Sequence, residues 1–185
     1  MAQKKIFIRL GHDVLKSGKC TAATGILHEY KIAREYGMGL AQMLVQEGFY
    51  VKIFDSTKGK YKTNFEALKS GVSEANKWGA DLFISCHANA FDGEANGTEV
   101  CCWFGDEISK KLATDISSAI SIVLSTKNRG LKDRLDLYEI KKTKMPAIII
   151  EPIFIDNPGD CLKYTNKDKT ELTKAIAQAI KQNLN

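Results

Sequence analysis

The chain has 185 residues, enough for one domain with a real core and too few for two comfortable ones. Its residues are 44% hydrophobic and 26% charged, as in an ordinary globular protein, and no apolar run approaches the ~20 residues of a membrane span. The net charge of +5 favours anionic partners such as a cell-wall polymer, although solvated lysines with no partner explain it equally well. The lysines are scattered and no arginine-rich helix is present, so we expect neither a nucleic-acid nor a membrane partner.

Residues 1–5 lack the apolar segment of a secretory signal, so we expect the chain to be made and folded in the cytosol. We also expect a monomer. Five cysteines without a C-x-x-C spacing indicate neither a disulfide framework nor a cysteine zinc site. Cys101 and Cys102 are neighbours in a predicted strand, where successive side chains point to opposite faces, and we expect both to be core thiols.

The predicted secondary structure alternates between strands and helices through most of the chain. Apolar runs between turn residues predict the strands, and apolar residues at helical spacing predict the helices. In chain order we predict a strand over 5–10, a loop over 11–25, a helix over 29–46, a strand over 50–54, a helix capped at Thr63-Asn64 and ending near 78, strands over 81–86 and 98–104, a helix over 106–124, strands over 135–140 and 147–151, and a helix over 170–184 capped by Thr170. The predicted fold is α/β, a single domain over 1–185 with a mostly parallel or mixed central sheet of about six strands and helices on both faces.

All three histidines lie where a predicted element ends or begins. His12 comes just after the first strand, His28 precedes the helix that opens at Glu29, and His87 follows the third strand. Glu151 ends the last strand. Because loops at the carboxyl ends of strands converge in open α/β sheets, we expect these distant pieces of sequence to meet in one cleft.

The types of these residues suit a metal site. A catalytic zinc commonly takes three ligands from histidine and carboxylate and leaves the fourth position to water. His12 and His87 can supply two of them. Neighbours on a helix diverge by about 100°, so only one of His28 and Glu29 can be the third, and the pattern leaves that choice open. Taken singly, each histidine fits a structural role better than a metal-bound one, and the metal interpretation depends on all three lying near the predicted cleft.

Glu151 has the surroundings of an acid/base catalyst. It lies between the apolar runs 147–150 and 152–155, and burial raises the pKa of a carboxyl group toward the range useful for proton transfer. The alternative is a glutamate at a strand end that pairs with a lysine or faces water.

Thiol and phosphate chemistry have weaker support. Cys86 and His87 are adjacent in or beside a strand, so their side chains point apart and cannot act as nucleophile and base together. Cys20 in the first loop remains a candidate nucleophile. The glycines form neither a G-x-G-x-x-G nor a Walker pattern.

Four segments are familiar when they are taken together and in order. They are 11–21 (G-H-D-V-L-K-S-G-K-C-T), 25–30 (G-I-L-H-E-Y), 85–90 (S-C-H-A-N-A) and 146–158, which has the form P-A-x-x-x-E-x-x-F-x-x-N. The chain resembles the zinc-dependent N-acetylmuramoyl-L-alanine amidases of the Amidase_3 type, and most closely the amidase domains of endolysins from clostridial phages. The resemblance extends from about residue 6 to residue 184.

The resemblance implies a site and a reaction. It implies zinc ligation by His12, Glu29 and His87, with Glu151 as the catalytic general acid/base. It implies hydrolysis of the amide between N-acetylmuramic acid and L-alanine of the stem peptide in bacterial peptidoglycan. Three further residues match positions near the family's groove and are expected to bind substrate: Asn89, Glu99 and Arg134.

The chain departs from the family at Asp13, where many members have glycine, and at Pro152-Ile153, where many have a small residue and glycine. We expect these changes to affect loop shape and muropeptide preference. Two other functions remain open, a wall-binding module without catalysis and a thiol-dependent wall peptidase that uses Cys20. The missing signal suits an enzyme that reaches the wall after the host membrane is permeabilised, as phage endolysins do.

Overall fold

The computed structural model describes residues 3–56 and 59–184, so the predictions made on residues 1–2 lie outside the described part. The elements of that part are, in chain order, β1 (Lys5–Leu10), α1 (Glu29–Gln46), β2 (Tyr50–Phe54), α2 (Asn64–Trp78), β3 (Leu82–Cys86), β4 (Thr98–Cys102), α3 (Glu107–Leu124), β5 (Asn128–Asp133), α4 (Tyr138–Lys142), β6 (Ala147–Glu151), α5 (Pro158–Thr165) and α6 (Lys169–Leu184). Within these residues no helix combines the length and the apolar character needed to cross a bilayer.

The strands form one mixed sheet in the order β2-β1-β3-β6-β4-β5. The first four strands of this order run parallel to one another, β4 is antiparallel to β6, and β5 is parallel to β4. The carboxyl ends of β1, β3 and β6 therefore lie side by side. Because β4 runs the opposite way, its first residues lie at the same edge, where Glu99 pairs with Glu151.

Helices cover both faces of the sheet, as predicted. Alternate residues of β1 show how the faces divide: Ile6 and Ile8 belong to the large core with α1, α3 and α6, whereas Phe7 packs with Phe54 and Phe83 in the smaller core with α2. Alternation of this kind follows from the two-residue period of a strand.

The two adjacent thiols follow the same rule. Both Cys101 and Cys102 are buried, Cys102 in the large core and Cys101 with Ile140 and Ile149 on the other face. The expectation that they are core thiols on opposite faces is confirmed.

The prediction of a strand over 135–140 was wrong. The strand in this region is β5, a half-exposed edge strand whose polar sequence lacks apolar alternation and whose Gly130 has a φ of 71°. The apolar residues Leu137 and Ile140 are three positions apart, which fits a helix better than a strand, and Glu139 and Ile140 are buried in α4.

Two helix predictions also needed correction. The sequence analysis missed α5, which begins with Pro158 after Asn157, whose side chain caps the helix by accepting from the Asp160 amide at 3.1 Å. Thr170 is not a cap but lies inside α6, and its amide donates to the side chain of Asp168 at 2.8 Å. The cap predicted at Thr63 is confirmed, since its hydroxyl accepts from the Glu66 amide.

We predict that Gly37→Ala destabilises the protein although alanine is the better helix former. A Cβ at Gly37 would lie 2.5 Å from Leu10 Cδ2 and 3.1 Å from Cys86 Sγ, so these buried side chains or α1 itself must shift. We expect the free energy of unfolding to fall by roughly 1–3 kcal/mol, as for other overpacked sites, in urea titrations. Gly39→Ala is the control, because its Cβ would meet Thr173 Cγ2 at 3.1 Å and the helix propensity gain offsets that contact. Equal stability of the two variants would contradict the prediction.

Candidate metal centre

Three side chains from distant parts of the sequence meet at the carboxyl edge of the sheet. His12 Nε2 lies 2.7 Å from Glu29 Oε1, His87 Nδ1 lies 3.0 Å from the same oxygen, and the two nitrogens are 3.1 Å apart. A tetrahedral zinc with ligands at about 2.0–2.1 Å separates neighbouring ligand atoms by about 3.3 Å. Two nitrogens and one oxygen in this triangle therefore fit one face of a zinc site, and these residues could hold a metal ion.

The backbone at Gly11 and His12 is sterically restricted. His12 has a φ of 61°, which is uncommon for a residue with a side chain. A Cβ at Gly11 would lie 2.3 Å from the Cys86 carbonyl oxygen and 2.9 Å from the His87 ring, so only glycine fits between β3 and the cluster. The Arg34 guanidinium donates to the carbonyl oxygens of Gly11 and His12 at 2.9 and 3.1 Å. These contacts stabilise a strained backbone beside the candidate metal site.

Glu29 is buried at the first position of α1. One carboxylate oxygen accepts from the Ala23 amide at 3.0 Å, and the other accepts from the Ala88 amide at 3.3 Å. Burial raises the pKa of Glu29, but hydrogen bonds from the two histidines outweigh it and the net shift is downward. The start of a helix also favours the charged carboxylate. Glu29 is therefore held as an anion.

The structure decides between His28 and Glu29, which the sequence left open. His28 occupies the position before α1, and its side chain lines a separate cavity with Ile26, Lys31 and Tyr164. Glu29 is the neighbour that faces His12 and His87.

A buried tyrosine of α1 ties together the strands that carry the site. The buried Tyr36 hydroxyl accepts from the His87 amide at 2.9 Å and lies 3.0 Å from the carbonyl oxygens of His87 and Ile150. It thereby fixes the end of β3 to the end of β6. Its signal in the sequence is weak, because a tyrosine at helical spacing fits a core equally well.

The three candidate ligands open into a cavity of about 370 Å³, the volume of a small-molecule site. The other residues that the family resemblance implied for catalysis or substrate binding also line this cavity: Glu151, Asn89, Glu99 and Arg134. The sequence placed these residues in one cleft, and the structure brings them together. A larger and more open depression of about 870 Å³ lies along α2 and β2 and contains none of them.

Glu151 differs from the other acids of the cavity because it has a carboxylate oxygen without a partner. Its Oε2 is buried and accepts no hydrogen bond from any described residue. Burial raises its pKa to about 8, the carboxylates of Glu29 and Glu99 add to the shift, and His87 and Arg134 oppose it. A carboxyl group that titrates near neutral pH can both accept and donate a proton.

The proposed substrate residues line the cavity and are held by hydrogen bonds. Asn89 donates to one oxygen of Glu99 at 2.8 Å, and Arg129 donates to the other at 2.7 Å. Arg134 donates two hydrogen bonds to Asp136, at 2.9 and 3.0 Å. Arg129 was not predicted as a site residue. The sequence predicted a strand over 135–140, whereas Arg129 lies in β5.

Cys20 does not belong to this arrangement. It is exposed, it pairs with Val14 across the loop, and within the described part of the chain the cavity's lining does not include it. Cys86 is buried and its pKa is raised to about 12, mainly by burial, so its thiolate is disfavoured. This geometry does not support the thiol-dependent alternative.

The fold and the site define a class: an α/β domain with two histidines, one carboxylate and a buried glutamate at the carboxyl edge of its sheet. The chain belongs to the Amidase_3 family of N-acetylmuramoyl-L-alanine amidases, whose model matches residues 6–182. This confirms the family that the sequence motifs resembled.

The chain is also similar to individual proteins of clostridia and to an endolysin that targets them. The chain is similar to the catalytic domain of the CD27L endolysin targeting Clostridia difficile, with 32% identity and a TM-score of 0.90 over 99% of this chain and 100% of that chain. It is similar to Cwp6 from Clostridium difficile, with 30% identity and a TM-score of 0.84 over 100% of this chain and 30% of that chain. It is 36% identical to an uncharacterised 38.4 kDa protein of Clostridium perfringens over 98% of this chain, and it spans about half, 52%, of that relative.

We predict that the protein binds one zinc ion and that the two cluster histidines are required for it. His12→Ala and His87→Ala should each weaken zinc binding by more than the roughly 10–100-fold that loss of a supporting residue costs. Competition with a chromogenic chelator measures the affinity. The matched control is His28→Ala, which removes a histidine just outside the cluster and should keep the wild-type affinity. A loss that is equal in all three variants would contradict the assignment.

We predict that Glu151→Gln stabilises the metal-free protein at neutral pH. The pKa of Glu151 is about 8 in the folded protein, above the usual 4.5, so the folded state binds the proton more tightly than the unfolded state does. The stabilisation from this proton is complete below pH 4.5 and is lost as the pH rises toward 8. Glutamine avoids this loss, so unfolding at pH 7 should cost on the order of 1–3 kcal/mol more in the variant.

The control for this stability measurement is Glu107→Gln on the surface of α3, which should change the free energy of unfolding little at either pH. Thermal or urea unfolding at pH 4.5 and pH 7 measures both variants. A Glu151→Gln gain that does not shrink toward pH 4.5 would show that ionisation of this carboxyl is not its cause.

Proposed function

We propose that this domain hydrolyses the amide bond between N-acetylmuramic acid and L-alanine of the stem peptide in bacterial peptidoglycan. The observation that carries the proposal is the triangle of His12 Nε2, His87 Nδ1 and Glu29 Oε1, which shares one cavity with the unpartnered carboxyl of Glu151. Membership in the amidase family supports the choice of substrate bond. The net charge of +5 suits an anionic wall polymer.

We assign zinc as the cofactor, held by His12, Glu29 and His87. Two imidazole nitrogens and one carboxylate oxygen are a donor set that zinc takes in hydrolytic enzymes, with one position left for water. When bound, zinc would polarise the scissile carbonyl and lower the pKa of water at the site toward about 7.

Glu151 is the residue proposed to move the protons. An amide resists hydrolysis because its nitrogen is a poor leaving group until it is protonated. In its ionised form Glu151 accepts the proton of the attacking water, and it then donates that proton to the amine of L-alanine as the C–N bond breaks. Its Oε2 is free to do so because no described residue already donates to it.

The walls of the cavity are proposed to orient the muropeptide. Asn89 and Glu99 fix each other and present their remaining hydrogen-bonding capacity to the cleft, while Arg134 supplies a guanidinium for carbonyl or carboxylate oxygens. Positioning of this kind lowers the barrier by holding the scissile amide beside Glu151. We further propose that the domain acts on the wall as a monomer, after the host membrane is permeabilised.

We predict that Glu151→Gln reduces kcat by roughly 10²–10⁴-fold and leaves zinc bound, because glutamine has the shape of glutamate but cannot accept the proton. The measurement is the release of free L-alanine amino termini from purified peptidoglycan, together with the zinc content. Chelation should abolish the wild-type release, and added zinc should restore it. The control is Glu107→Gln, which should keep full activity.

Two outcomes would contradict the proposal. Release of amino termini at the wild-type rate by Glu151→Gln would exclude its role as the acid/base. Wild-type protein that sediments with cell walls but releases no amino termini, with or without zinc, would instead indicate a wall-binding module.

A further inference from the structure

We propose that Glu139 is a positioning residue for the metal centre. It acts through Ser85 to fix the orientation of the His87 ring. The inference deepens the proposed function and rests on it in one respect, the assignment of His87 as a metal ligand. Glu139 lies in α4, the short helix that the sequence analysis had predicted to be a strand. No role had been expected for Glu139 or for Ser85.

The contacts form a chain behind the ring. His87 Nδ1 faces His12 and Glu29, whereas its other nitrogen, Nε2, lies 3.1 Å from Ser85 Oγ. Ser85 Oγ donates to Glu139 Oε1 at 3.0 Å, and Glu139 Oε2 lies 3.9 Å from His87 Nε2. Ser85 and Glu139 are 0% and 5% exposed, so water does not compete for these contacts.

The direction of the hydrogen bonds follows from counting protons. An ionised carboxylate has none to donate, so Glu139 must accept from the Ser85 hydroxyl. The hydroxyl has only one proton, so its oxygen can only accept from His87. His87 Nε2 must then carry a proton, so Nδ1, the atom that faces the other two candidate ligands, is the nitrogen whose lone pair a metal would take.

A second charge lies beside the buried Glu139 carboxyl group. The Arg9 side chain, 1% exposed, lies with Nη1 3.5 Å from Glu139 Oε1 and with Nη2 3.2 Å from Asp13 Oδ2. A buried carboxylate is tolerated when such a partner lies beside it. Arg9 and Ser85 are also neighbours in register across β1 and β3, so the sheet itself sets the spacing of this network.

The same network explains why an aspartate is buried at position 13. It stands where many members of the family have glycine, and the sequence analysis expected it to alter the shape of the loop. In the structure it is fully buried against Arg9, whose charge it shares with Glu139. A guanidinium between two carboxylates leaves neither acid unpaired.

The test measures zinc affinity directly, by competition with a chromogenic chelator, in Ser85→Ala, in Glu139→Gln and in the double variant. Each single variant breaks the chain at one link and should weaken zinc binding by roughly 10–100-fold. Because both residues act through one chain, the double variant should lose no more than the worse single variant. Ser117→Ala is the matched control, since Ser117 is equally buried in α3 but donates to the Thr114 carbonyl oxygen.

A spectroscopic measurement separates positioning from general loosening of the fold. The chain has three histidines, so two-dimensional ¹H–¹⁵N spectra of the zinc-loaded protein resolve every imidazole ring. We expect a slowly exchanging Nε2–H signal for His87 in the wild type, because this proton is bonded to Ser85. The signal should exchange rapidly in Ser85→Ala and remain slow in Ser117→Ala.

The outcomes distinguish this inference from the proposed function. Wild-type protein that does not bind zinc refutes the ligand assignment and the inference with it. The inference alone is overturned if the wild type binds zinc tightly and Ser85→Ala and Glu139→Gln bind it within about twofold of the wild-type affinity. It is also overturned if the loss of affinity in the double variant is the sum of two independent losses. If Glu139→Gln does not fold, Ser85→Ala decides by both measurements.

Discussion

The parallel hydrogen bonding of β1, β3 and β6 is the constraint on which the site depends. It places Leu10 opposite Cys86 and Cys86 opposite Ile150, and the pairing continues past the strand ends, where the Gly11 amide donates to the Cys86 carbonyl oxygen and the His87 amide donates to that of Ile150. The segments after the three strands, which begin at residues 11, 87 and 152, are therefore held at one level. In a parallel sheet buried on both faces, a slip of one residue would exchange the side chains of the two cores, so the packing of both faces fixes this register.

The same edge concentrates groups that are costly to the folded state. His12 has a left-handed backbone, Glu151 has a buried oxygen without a partner, and Arg9 is buried beside two acids. Such features persist when the surrounding structure holds them, and they collect at functional sites. The large core of α1, α3 and α6 stabilises the fold, while the face with α2 and α4 carries the polar network. Most of the polar groups thus lie on the face opposite the large core, while α1 on the core face supplies Glu29 and Tyr36.

The sequence predicted the parts of the site that lie next to strong local signals. Two of these residues, His12 and His87, come just after apolar strands, and Glu151 is the last residue of one. The carboxyl end of each strand therefore places the side chain at the edge of the sheet. The third candidate ligand needed the resemblance to the family, because the choice between His28 and Glu29 depends on how α1 packs and not on spacing. Glu139 was missed because the alternation of Leu135 and Leu137 is typical of a strand, and tertiary packing made the segment a helix. Arg9 was the available clue: a charged residue inside the apolar run of β1 requires a buried partner.

A crystal structure of the zinc-soaked protein, with diffraction data collected on both sides of the zinc absorption edge, tests the central claim most directly. The account predicts one strong anomalous peak within coordination distance of His12 Nε2, His87 Nδ1 and Glu29 Oε1, on the side of the cavity that holds Glu151. Absence of a peak at this triangle, or a single peak beside His28 instead, would contradict it.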